Sequence, residues 1–185
     1  MVRLPVALER KLAAIFPTAR QREQFVAELV QKALETTPTT APSPQTPVAV
    51  GGTLHLFTDG GSRGNPGQAA IGCVLLDPVE QRVLKEHCET IGIQTNNIAE
   101  YRALIAGLTM AAEFQPNHLV CHLDSELVVK QLSGEYRVKM ATFEPLIEEI
   151  NRLKSQFPSV QFVYVPRIKN ARADALVNRA LDAGA

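Results

Sequence analysis

The stretch LHLFTDGGSRGNPGQAAIGCVLLDPVEQRVLKEHCETI, residues 54–91, decides the fold. It holds three apolar or alternating runs, LHLFTD (54–59), AAIGCVLLD (69–77) and QRVLKEHCETI (81–91), each bounded by Gly, Pro or Asp. Short runs of this kind, punctuated by turn residues, predict three consecutive strands. Downstream the period changes. A helical pattern runs from near Asn97 to about Phe114, and HLVCHLD (118–124) reads as a strand. Helices follow at SELVVKQL (125–132) and FEPLIEEINRLKSQF (143–157), then a strand at VQFVYV (160–165) and a last helix from Ala171. Three strands followed by alternating helix and strand predict an α/β fold, a mixed sheet with helices on its faces.

Upstream, residues 36–50 read TTPTTAPSPQTPVAV, where Pro38, Pro42, Pro44 and Pro47 forbid regular ladders, so this segment is expected to be a semi-extended linker. Within residues 1–35, Leu4, Leu8, Leu12 and Ile15 recur at helical spacing, Pro17 interrupts, and Phe25, Leu29, Ala33 and Leu34 form a second stripe. Two short amphipathic helices are expected there. Six basic and four acidic residues make this segment a weak candidate for nucleic-acid contact; packing on itself or on a protein partner is the alternative. The organisation is therefore a helical segment (1–35), a linker (36–50) and a main domain (51–185). Over all 185 residues, nineteen basic and nineteen acidic side chains cancel, so net charge neither advertises nor excludes a polyanionic partner. Cys73, Cys88 and Cys121 are odd in number, lack C-x-x-C spacing and lie in strand-like runs, which points to buried reduced thiols. Glu9, Arg10 and Lys11 interrupt any signal-peptide core, and no apolar run approaches a membrane span, so a cytoplasmic monomer without membrane contact is the expectation.

Four carboxylates stand where packing alone would not want them. Asp59 closes LHLFTD and precedes Gly60 and Gly61; Asp-Gly-Gly is also a hairpin signal. Glu100 falls in the first turn of its helix beneath Leu104, Gly107 and Ala111, and Asn97-Ile98-Ala99-Glu100 spells a capping-box variant as well. Asp124 ends a strand before Ser125, where a plain helix cap fits equally. Asp174 lies inside the last helix on the face of Val177 and Leu181, a poor place for a solvated charge. Two strand ends and two helix starts gather in one crevice of an open sheet. Two unit charges about 4 Å apart repel by about 4 kcal/mol at an effective dielectric near 20, so such a cluster calls for cations. Hard oxygen ligands select Mg²⁺, with Mn²⁺ as a substitute, and two such ions suit phosphodiester hydrolysis.

The motifs FTDGGSRGNPG, TNNIAEYRALIAGL, HLDSELVVKQLSGEYRVK and VPRIKNARADALVNRAL resemble, in order and spacing, type 1 ribonuclease H, and within it the compact branch lacking the large basic handle. The resemblance covers nearly everything from Leu54 to Leu181. It implies a five-stranded mixed sheet flanked by helices, and Asp59, Glu100, Asp124 and Asp174 as catalytic ligands of two Mg²⁺ ions. It further implies an endonuclease that cuts the RNA strand of an RNA/DNA hybrid, leaving 5′-phosphate and 3′-hydroxyl ends. Substrate contacts would come from Gly60, Gly61, Ser62, Arg63 and Asn65 in a glycine-rich loop, from Thr95, Asn96 and Asn97, and from Ser125, Arg137, Lys139, Arg167 and Asn170. Double-stranded RNA is a second substrate to test. A hybrid-binding module without catalysis and a related nuclease acting on other duplexes are the competing readings; the presence of all four acids weighs against the first.

Two departures stand out. The loop before the last helix, Val165-Pro166-Arg167-Ile168-Lys169-Asn170, has no histidine where many family members do, and Arg167 is expected to replace it electrostatically. His55, His87, His118 and His122 all read as strand positions. Glu126 follows Asp124-Ser125 where many relatives carry a neutral amide.

Overall fold

The computed structural model describes Thr18 and residues 51–137 and 140–184. Apart from Thr18, the expected N-terminal helices and the linker lie outside the described residues, as does Lys139. The chain divides into two units, Met1–Gln45 and Thr46–Ala185, and the architecture is that of the second. Its elements are β1 (Thr53–Gly64), β2 (Gly67–Asp77), β3 (Arg82–Gln94), α1 (Asn96–Ala112), β4 (His118–Leu123), α2 (Glu126–Leu132), α3 (Glu144–Lys154), β5 (Ser159–Tyr164) and α4 (Ala171–Ala183). The strands form one five-stranded sheet in the order β3-β2-β1-β4-β5. The β1–β2 and β2–β3 pairs are antiparallel, and β1–β4 and β4–β5 are parallel, so the sheet is mixed as expected. Among the described residues no helix is long and apolar enough to cross a membrane.

Alternation in β1 buries Leu54, Leu56 and Thr58 completely, while His55 and Phe57 on the other face stay half-exposed. The first set meets Tyr101, Leu104 and Leu108 of α1, all 1% exposed or less, in the main core. Full burial of each such aliphatic side chain contributes about 1.5–3 kcal/mol. A smaller core on the opposite side joins Ala70 to Val177, Ala180 and Leu181 of α4. Glycines set how closely both helices approach. A Cβ on Gly60 would collide with the backbone of Ala99 and Glu100, and one on Gly72 with the carbonyl of Ala173. The starts of α1 and α4 therefore lie directly against the sheet.

Several boundaries differ from the sequence reading. Asp59 does not end its strand: β1 runs on to Gly64, paired with β2 through Asp59↔Gly72 and Gly64↔Gly67, so Gly60–Gly64 is strand and the turn is at Asn65-Pro66. Asp-Gly-Gly failed as a turn signal because β2 supplies ladder partners that local sequence does not reveal. Thr95, not Asn97, caps α1, its hydroxyl accepting the Ile98 N–H at 3.3 Å, and Glu100 falls in the second turn. Ser125 rather than Asp124 occupies the cap position of α2. The helix expected over 143–157 is a 3₁₀ turn (Ala141–Phe143) continued by α3. Cys73, Cys88 and Cys121 are free thiols, and all four histidines lie in strands.

Candidate active site

Two of the acids meet through strand register. The parallel β1–β4 ladder ends at Thr58↔Leu123, and the next residue on each chain is an acid, Asp59 and Asp124. Neighbouring strands lie about 4.8 Å apart, so the ladder alone sets these carboxylates side by side. Glu100 joins them because Gly60 lets the first turns of α1 press onto β1. Carboxylate oxygens of Asp59, Glu100 and Asp124 lie within 4.8 Å of one another.

Asp174 enters differently. It lines the same cavity of about 310 Å³ but stands outside that group of three. Its Oδ1 is ion-paired with Arg167, and its Oδ2 accepts from Asn178 Nδ2 at 3.1 Å. The structure therefore unites three of the expected quartet and holds the fourth at the rim, under a guanidinium from the preceding loop. That guanidinium lies on a 76% exposed side chain.

Burial, then the charges of Asp124 and Asp174, pushes the Asp59 carboxyl up to about 6, while Arg167 and the Gly60 N–H pull it down. Glu100 is pushed up further, to about 9, by burial first and by Asp59 and Asp124 next. Its Oε2 is buried without a hydrogen-bond partner. A buried, unpartnered carboxylate oxygen facing two further carboxylates is the donor set of a hard divalent cation, so these residues fit such an ion. Asp59, Glu100 and Asp124 would hold it, with Asp174 within reach of the same cavity.

The expected substrate contacts divide into groups. Gly60, Gly61, Ser62, Arg63, Asn96 and Arg167 line the acidic cavity. Arg63 is ion-paired with Asp182, Ser62 N donates to Asn96 Oδ1 at 3.3 Å, and Asn96 N donates to Asn65 Oδ1 at 3.0 Å. Asn97 and Arg137 line a different groove, walled by Leu127, Tyr136, Met140 and Phe143. Thr95 and Ser125 occupy helix caps, and Glu126 pairs with Lys130 at 2.7 Å. Asn170, expected at the substrate, is 1% exposed and bonded to protein groups. Sequence reasoning passed over Asn178, although its position four residues after Asp174 in a helix was a usable signal.

The reverse transcriptase-like family model matches residues 57–180. A bifunctional protein of Mycobacterium tuberculosis is 45% identical over 127 residues, covering 69% of this chain and 35% of that protein. The chain thus spans about a third of the length of that relative. Ribonuclease HI of Halobacterium salinarum is 43% identical over 132 residues, covering 71% of this chain and 66% of the other. The crystal structure of LC11-RNase H1 in complex with an RNA/DNA hybrid superposes with a TM-score of 0.67 at 42% identity, covering 71% of this chain and 98% of that one.

Proposed function

The chain belongs to the reverse transcriptase-like family, among its type 1 ribonucleases H, and from that membership we propose that residues 51–185 form an endonuclease cutting the RNA strand of RNA/DNA hybrids. The observation that carries the reading is the meeting of the Asp59, Glu100 and Asp124 carboxylates within 4.8 Å, with Glu100 Oε2 buried and unpartnered. Two Mg²⁺ ions, when bound, supply Lewis acidity at the attacking water and at the leaving oxygen. Mn²⁺ is the expected substitute.

The residues themselves do the rest. Asp59, whose carboxyl is raised by burial and by the charges of both Asp124 and Asp174, would help to hold the divalent ions together with Glu100 and Asp124. Burial first, and the charges of Asp59 and Asp124 next, keep Glu100 protonated at neutral pH, so holding a divalent cation there would displace that proton. Arg167 opposes the negative charge of the cluster and, being cationic at any working pH, acts by charge and not as a base. Gly61, Ser62 and Asn96 line the wall beside the acids, and the Asn96 side chain, whose Oδ1 accepts the Ser62 N–H, would offer its NH₂ to a 2′-hydroxyl across a shallow minor groove.

Labelled RNA/DNA, RNA/RNA and DNA/DNA duplexes incubated with Mg²⁺ test the reading. Cleavage confined to the RNA of the hybrid, leaving 5′-phosphates, is expected; cleavage of the DNA duplex points to a different nuclease. Asp59→Asn abolishes the cleavage while leaving the fold intact by circular dichroism.

A further inference from the structure

Asn170 stands where the loop after β5 becomes α4, and it touches three of the elements that carry the acids. Its Nδ2 donates to the carbonyl of Thr58 at 2.9 Å, one residue before Asp59, and to Oδ1 of Asp124 at 3.0 Å. Its backbone carbonyl accepts the N–H of Asp174 at 3.1 Å, and its own N–H donates to the Arg167 carbonyl at 2.9 Å. Only 1% of the residue is exposed.

Both side-chain partners are pure acceptors, a carbonyl and a carboxylate. The NH₂ must therefore face them, since the flipped amide would set its oxygen against two others. In the orientation that results, Oδ1 is buried without a partner. Leaving a buried acceptor unpaired costs about 1–3 kcal/mol, and an apolar residue of similar size would avoid it. A packing role alone does not account for an asparagine here.

The need arises at Asp124. Its strand has already left the ladder, because the last β1–β4 pair is Thr58↔Leu123, and the adjoining Ser125 makes no side-chain cap bond. Backbone pairing thus does not fix the Asp124 carboxylate. We propose that Asn170 is a positioning residue of the active site, its amide tying the Asp124 carboxylate to the strand that carries Asp59 so that both present oxygens to one divalent ion. The assignment rests on the ribonuclease H reading. A charge-assisted bond from a buried donor is stronger than a neutral one and directional enough to select one rotamer. With 1% of its surface exposed, Asn170 acts through the groups it holds, the Asp124 carboxylate and the Thr58 carbonyl, and not by touching substrate.

The test uses the full chain as wild type, Asn170→Ala and the nearly isosteric Asn170→Asp, the last placing a third acceptor against the other two. Mn²⁺ affinity without substrate is measured by calorimetry, kcat and KM on a hybrid duplex, and Tm with chelator. Loss of a group that orients a metal ligand typically lowers metal affinity or activity 10–100-fold. Both variants are expected to bind Mn²⁺ about tenfold or more weakly and to lose kcat by a similar factor, with KM for the hybrid unchanged within about twofold. Wild-type affinity and kcat in both variants, even with lowered Tm, overturn the proposal and leave Asn170 a fold residue. If Asn170→Ala does not fold, Asn170→Asp and Asn170→Ser, which keeps a short donor, decide between the same outcomes. In an Asp124→Asn background the cost of Asn170→Ala in Mn²⁺ affinity should fall below about twofold; an equal cost in both backgrounds also overturns it. Failure of the wild type to bind Mn²⁺ or to cut the hybrid sinks the ribonuclease H reading itself, a result the variants cannot mimic.

Discussion

At pH 7 a Glu100 carboxyl held at about 9 keeps its proton, although the same side chain in the unfolded chain releases it near 4.5. The folded, metal-free protein therefore binds more protons than the unfolded one between these values. Its stability from this group is full below about 4.5 and is lost as pH rises towards 9. Asp59, raised to about 6, adds to the same slope at lower pH. Thermal melts in chelator should show Tm falling from pH 7 to pH 9, above the range in which buried His122 adds an opposite slope, and saturating Mg²⁺ should flatten the decline. Glu100→Gln, neutral throughout, should melt higher than the parent at pH 8 in chelator yet cut hybrid at least about a hundredfold more slowly, since it removes a direct ligand rather than an outer partner. A parent that melts alike at pH 7 and pH 9 would contradict the assignment. The Glu100 residue type was legible as a site candidate from the sequence, but its local pattern suggested a helix cap. Only its placement in the second turn of α1, against Gly60, separates a ligand from a cap.

Among the elements, the glycines under the helix starts decide whether the acids converge. Gly60→Ala drives a methyl group into the Ala99 backbone, which cannot rotate away as a side chain would. Overpacking of this kind costs about 1–3 kcal/mol. Because α1 must retreat and take Glu100 with it, Mn²⁺ affinity should fall more than Tm predicts. Gly61→Ala meets the Val177 side chain at 3.1 Å instead, and a side chain can give way. Its effect on Mn²⁺ affinity should be several-fold smaller, and equal losses in the two variants would refute the distinction. The order of strands and helices could be read from hydrophobic period, from LHLFTD through to the helix after Ala171. The extent of β1 could not, because its last residues, Gly60–Gly64, are strand only by virtue of pairing with β2.

For the molecule as a whole, residues 51–185 carry thirteen basic and fifteen acidic side chains, a balance of minus two that becomes plus two without the four site acids. Divalent ions at the site therefore make the domain more attractive to a polyanion. Hybrid binding should be markedly weaker with chelator than with Ca²⁺ or with Mg²⁺ and an uncleavable RNA strand, as measured by fluorescence anisotropy; equal affinity in all three conditions would contradict this. Calorimetric Mn²⁺ titrations in buffers of different ionisation enthalpy should also reveal proton release on binding at pH 7. By itself the sequence determined the α/β order and the sheet with three leading strands, because hydrophobic period is a local property, and it offered Asp59, Glu100, Asp124 and Asp174 as candidates through their motifs. Tertiary structure alone decided that Asp59, Glu100 and Asp124 share one cluster while Asp174 pairs with Arg167, and that Asn170 is buried beneath Asp124. Those facts follow from the β1–β4 register and from how closely two helices can approach a sheet, distances that no stretch of sequence carries in its own pattern.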